Sequence, residues 1–160
     1  MKKLDKTVSK LLENNWKEDF TVRSTSEDIS AYDNGHLSKI PDFSSFLQKY
    51  GMIYLYDNLS SHTLPLIQGR RNDKNDTIPG AISFCNSYSE WPDKLIPFYS
   101  DKSGNFFCFD KQKKYGTPGF VVCYLHDTRD YQSLSQLSSF EDFLDYALKT
   151  IPDCWGIIQS

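Results

Sequence analysis

The residues of this chain best placed to do chemistry are His126 and Asp127. They follow directly on the apolar run Phe120–Leu125, with Cys123 just before them and Cys108 in an earlier strand-like run. A thiolate nucleophile needs its imidazole within hydrogen-bond reach and a third group to orient that base. Strand alternation sets positions 123 and 126 on opposite faces, which leaves Cys108 with His126 as the pair still open. The plainer arrangement, a histidine and an aspartate at an exposed strand-to-loop junction, is the one the sequence favours. Cys108, Cys123, His126 and Asp127 also have the chemistry of zinc ligands. Structural zinc sites, however, show two close ligand pairs, and only Cys123 with His126 is close. Asp101, Asp110, Asp127 and Asp130 do not have the alternate-position spacing of a calcium loop, and Asp101 is explained as a turn former. No GxxxxGK phosphate loop, GxGxxG, HExxH or GxSxG occurs, and histidines are few, at His36, His62 and His126. The expectation is therefore no catalytic residue, no bound metal and no cofactor.

Elements that would position these side chains can be read from hydrophobic spacing. Leu4, Val8, Leu11 and Leu12 share one face of an N-terminal helix. Thr25 with Asp28 opens a short helix through Ala31, ended by Gly35. Pro41 and Asp42 suit a first helical turn, with Phe43, Phe46, Leu47 and Tyr50 on one face and Gly51 as the stop. Met52–Tyr56 follows as a strand. Leu64–Ile67 and Ile78–Phe84 are weaker strand candidates either side of a polar loop, Gln68–Thr77. Leu95–Tyr99 and Asn105–Asp110 form a hairpin about the turn Asp101–Gly104. Lys111–Pro118 is a polar connection to Phe120–Leu125, a central strand buried on both faces. Ser138 with Glu141 reads as a capping box. It opens a helix whose stripe runs Phe140, Phe143, Leu144, Ala147, Leu148 and Ile151. Pro152 should stop that helix, and Trp155, Ile157 and Ile158 should dock on the body. Helices followed by hairpin strands and a last helix predict one α+β domain over 1–160, a mostly antiparallel sheet with helices packed on one face.

At 160 residues and 39% hydrophobic composition the chain can build a core without disulfide staples. Cys85, Cys108, Cys123 and Cys154 lack CxxC spacing and are expected as reduced thiols. No signal-like apolar run and no membrane-spanning stretch is present, so a cytoplasmic protein is expected. A net charge of −3 offers no basic stripe for nucleic acid. Between Asp127 and Tyr146 the acids Asp127, Asp130, Glu141, Asp142 and Asp145 face Arg129 alone. Part of that bias suits a helix N-terminus. The rest makes an acidic face open to a basic partner.

Three ordered blocks carry a family resemblance: Ile40-Pro41-Asp42-Phe43 with Phe46-Leu47 and Gly51, the hairpin Leu95-Ile96-Pro97 through Gly104-Asn105 to Cys108 and Asp110, and Val121-Val122 through His126-Asp127 to Phe140–Leu144. Together they resemble the SUKH superfamily, which includes the yeast Smi/Knr cell-wall regulators, over about residues 24–149. Tyr50 departs from the asparagine often found before the helix-ending glycine, and 57–94 shows no alignable motif. The resemblance implies an α+β fold, no catalytic residues, and in bacteria an immunity protein that binds and neutralises a toxin domain, often a nuclease. The alternative is an intracellular regulatory or scaffolding module. A partner protein is thus expected, with Trp91, Tyr99 and Tyr115 as aromatic anchors if exposed and Asp127 and Asp130 as charged contacts. A Cys108–His126 enzyme stays as the contrasting class.

Overall fold

The computed structural model describes residues 2–14, 16–19, 23–31, 35–56, 61–64, 87, 91–100 and 104–154. Helix α1 spans Lys3–Glu13, α2 Ser26–Ala31, a 3-10 turn Leu37–Lys39, α3 Pro41–Lys49 and α4 Phe140–Cys154. Strands β1 (Lys17–Asp19), β2 (Met52–Tyr56) and β3 (Ser61–Leu64) form one antiparallel sheet. Strands β4 (Leu95–Ser100), β5 (Phe106–Asp110), β6 (Val121–Leu125) and β7 (Asp130–Ser133) form a second, antiparallel in that order. The class is α+β, as the element pattern predicts.

The core is aromatic and lies between the four-stranded sheet and α3 and α4. Phe43 of α3 sits 4.7 Å from Phe140 and 5.1 Å from Phe109, both edge-on. Phe98 stacks on Phe109 at 4.2 Å and meets Phe143 edge-on at 4.8 Å. Tilted and edge-on packing suits the ring quadrupoles. Phe107, Phe109 and Val121 face this core, while Cys108, Val122 and Tyr124 face a smaller cluster with Leu95, Trp91, Phe106 and Tyr131. Strand β6 is therefore internal and apolar on both sides, although Cys123 and Leu125 are only half-buried.

Local signals place the ends. Gly51 follows α3 with φ +71°, and its N–H bonds back to Phe46 O, a helix stop that a Cβ would strain. Two details differ from the sequence reading. The capping box of α4 is set one residue later. Ser139 Oγ accepts the Asp142 N–H at 3.1 Å, and the Asp142 carboxylate reaches back to the N–H and hydroxyl of Ser138 at 3.1 and 2.8 Å. The Glu141 N–H is instead taken by Asp42 Oδ2 at 2.9 Å. Helix α4 also runs past Pro152 to Cys154. A proline this close to a helix end removes one hydrogen bond in a turn that has few left to lose.

β3 holds Leu64 of the Leu64–Ile67 candidate and begins three residues earlier. The remainder of that run, Gln68–Thr77, Ile78–Phe84, Cys85, Asp101–Ser103 and the tail with Trp155, Ile157 and Ile158 lie outside the described residues.

Candidate functional site

The candidate catalytic pair is not assembled. Cys108 stands opposite Val122, and the register from Phe106↔Tyr124 carries on to set Gly104 beside His126. Four residues of strand separate Cys108 from that position, roughly 14 Å at about 3.4 Å per residue. Cys108 is fully buried and turns its thiol toward Phe106 O. His126 is held at the sheet's edge, its N–H donating to Asn105 Oδ1 at 3.0 Å. Its Nδ1 lies 3.3 Å from Asp127 Oδ1, with the two side chains 58% and 93% exposed. Cys108 and Cys123 sit on neighbouring strands but opposite faces, and no group of three possible metal ligands gathers among the described residues. Asp110 is buried and accepts the Gln112 N–H, and Asp130 accepts the Tyr131 N–H. Each carboxylate finishes its own turn.

The acidic face is largely consumed inside the molecule. Lys3 Nζ donates to Asp142 at 2.7 Å, the Leu4 N–H to Glu141 at 3.1 Å and the Thr7 hydroxyl to Asp145 at 3.0 Å. Helix α1 thus docks on three of the five acids, leaving Asp127 and Asp130 facing solvent. Burial works against Asp142, but the Lys3 and Ser138 hydrogen bonds overcome it and hold the carboxyl below its ordinary range. Burial pushes Glu141 the other way, with the Asp42 charge adding to the rise.

The aromatic candidates separate clearly. A bulge between Pro97 and Tyr99 shifts the β4–β5 register, so the neighbours Phe98 and Tyr99 both join the core. Tyr99 is 3% exposed and packs on Phe107 and Phe143, so it has no surface to offer as an anchor. Trp91 is half-buried on the other face of the sheet, 4.5 Å from the Tyr124 ring, with its indole N–H on Leu95 O at 3.3 Å. Tyr115 is half-buried and edge-on to Phe120 at 5.6 Å. Burial, with a hydrogen bond from its hydroxyl to Asp42, raises its pKa far above that of a free tyrosine.

Tyr115 also lines a cavity of about 280 Å³ at the end of the four-stranded sheet. Its floor is Ile40, Ile96, Phe109 and Phe120, all buried. Its cationic side chains are Lys39 of the 3-10 turn and Lys111, Lys113 and Lys114 of the loop after β5, with His36 beside them and Asp110 as the one acid. That loop is held at both ends. Asp110 N–H bonds Phe120 O at 2.9 Å, and Lys113 N–H bonds Asp110 O at 3.0 Å. Gly116, at φ +80°, gives its N–H to Ser138 O at 3.0 Å. With the backbone tied inward, Lys113 and Lys114 project into solvent. Lys39, Lys113 and Lys114 have no carboxylate partner among the described residues. An apolar floor with a cationic rim is suited to holding an anionic group that carries an apolar neighbour. Sequence reading treats 111–118 as a polar connection. The visible signal is its basic run Lys111-Gln112-Lys113-Lys114.

Fold and site define an α+β domain with a concave surface rimmed by lysines. The chain belongs to the SMI1/KNR4 family (SUKH-1), whose family model matches residues 24–146, more than three quarters of its length. The matched span contains every residue lining the cavity and leaves α1 outside. No curated protein matches the chain. Family membership implies protein–protein interaction in general and is consistent with an immunity-type or regulatory role.

Proposed function

We propose that this chain is a non-enzymatic immunity protein that binds and neutralises a toxin domain of a polymorphic toxin system. The supporting observation is its membership of the SMI1/KNR4 family (SUKH-1) across the segment that builds the cavity. Neutralisation of this kind needs only a surface that covers the toxin's working face, with preorganised contacts keeping the entropic cost of association low. Tyr115 is the proposed aromatic contact, at the cavity. Trp91, Asp127 and Asp130 are proposed contacts elsewhere on the surface. The site of action is the cytoplasm, and among the described residues no helix is long and apolar enough to cross a membrane. No cofactor or nucleic acid takes part.

The test is purification of the full chain from its own organism's lysate and supernatant, with mass spectrometry of what accompanies it. A secreted toxin domain recovered near equal stoichiometry is the expected result. Recovery of a stable endogenous complex with no toxin in it would replace this reading with that of a regulatory module.

A further inference from the structure

We propose that the cavity beside the 3-10 turn takes an acidic segment of the partner protein, one of whose apolar side chains seats on the cavity floor. This deepens the protein-binding reading and rests on it. The cavity, at about 280 Å³, falls just under the ~300–1,000 Å³ span of small-molecule sites. It fits a side chain better than a cofactor. Its floor offers only apolar surface, from Ile40, Ile96, Phe109 and Phe120. Around that floor a chain of net charge −3 gathers four lysines against one aspartate.

Charge complementarity sets the sign of the occupant. Lys39, Lys113 and Lys114 are exposed and without a carboxylate partner among the described residues. On the opposite side of the charge balance, α1 already covers Glu141, Asp142 and Asp145. The lysine rim at Lys39, Lys113 and Lys114 is thus a charged surface that internal contacts leave open, among the described residues. The site is also built before any partner arrives. The Lys113 N–H is bonded to Asp110 O, and the Gly116 N–H is tied to Ser138 O, so the rim loop loses little freedom on binding. A nucleic acid would need a basic stripe that tracks its backbone, and these lysines ring a concavity with an apolar base. An acidic peptide segment with a single large apolar residue matches both features.

The proposal is tested by selecting a random dodecapeptide display library against the full-length chain, then measuring anisotropy of the labelled winners. The expected winners are rich in Asp and Glu around one Phe, Leu or Trp. They should bind about tenfold or more weakly to the Lys113→Glu/Lys114→Glu variant, with Lys39→Glu giving a smaller loss. Both variants should unfold at the wild-type temperature, since the substituted side chains are exposed. Basic or uncharged winners, no winners at all, or winners indifferent to the charge reversal would overturn the proposal. So would a single-stranded RNA oligonucleotide that binds more tightly than the peptides and is lost on the same substitutions. A chain that protects against a toxin yet selects no acidic peptide would keep the immunity function and lose this site.

Discussion

Asp42 and Glu141 are 99 residues apart in the chain and joined by one hydrogen bond, from the Glu141 N–H to Asp42 Oδ2 at 2.9 Å. The same buried carboxylate accepts the Phe43 N–H at 3.0 Å on its other oxygen. One side chain therefore satisfies backbone donors in the first turns of both α3 and α4. Asp42→Asn turns one of these acceptors into a donor facing donors. It should cost about 2 kcal/mol of stability. Urea unfolding checks this, with the exposed Asp127→Asn as a control that changes little.

The neighbours Glu141 and Asp142 should respond to pH with opposite signs. Asp142 has a depressed folded pKa, so its stabilisation is present above its ordinary value near 3.8 and is lost as pH falls. Glu141 has a raised folded pKa. Its contribution is therefore fully present below its ordinary value near 4.5 and is lost as pH rises through the folded value. Asp142→Asn should lower the urea midpoint at neutral pH and flatten the acid limb. Glu141→Gln keeps an acceptor for the Leu4 N–H and should hold or raise the midpoint at neutral pH. That gain should vanish in acid. Asp5 is held down by its hydrogen bonds from Lys49 and Tyr50, and it sustains the remaining acid limb in both variants.

Phe43 is the hinge pin of the aromatic core, touching the rings of Phe98, Phe109 and Phe140. Phe43→Ala leaves a cavity among rings that cannot collapse into it. It should destabilise the chain by about 3–5 kcal/mol, read as a fall in the urea midpoint with unchanged slope.

Cys108→Ala and His126→Ala test the discarded catalytic pairing. Both variants should keep full partner binding, since Cys108 is buried with Val122 and Tyr124 and His126 is about 14 Å of strand away. Thiol labelling of the native chain should reach the half-buried Cys123 before Cys108. Loss of binding in either variant with intact folding would reopen the enzymatic class.

The helices and the hairpin were legible because their spacing is local: the stripe from Phe140 to Ala147, Pro41 at a first turn, Gly51 as a stop. The one-residue slip of the capping box has a tertiary cause. Ser138 with Glu141 and Ser139 with Asp142 satisfy the same spacing rule, and the bond from the Glu141 N–H to Asp42 decides between them. Tyr99 reads as a strand-end aromatic until a bulge turns it inward, and nothing in its own neighbourhood announces the bulge. The acidic bias after Asp127 is plain in sequence, but the hydrogen bonds that Lys3, Leu4 and Thr7 give to three of its acids come from about 140 residues away. The cavity was hidden for the same reason, being made where residues 36–40, Ile96 and 109–120 converge.

The central claim is neutralisation of a toxin, and growth rescue tests it most directly. Cells are made to express each toxin gene neighbouring this one, with and without the full chain. Restored growth with one such toxin, together with a stable complex of the two proteins, is the predicted result. Growth arrest that the well-folded chain never relieves, with no complex formed with any of these toxins, would contradict it.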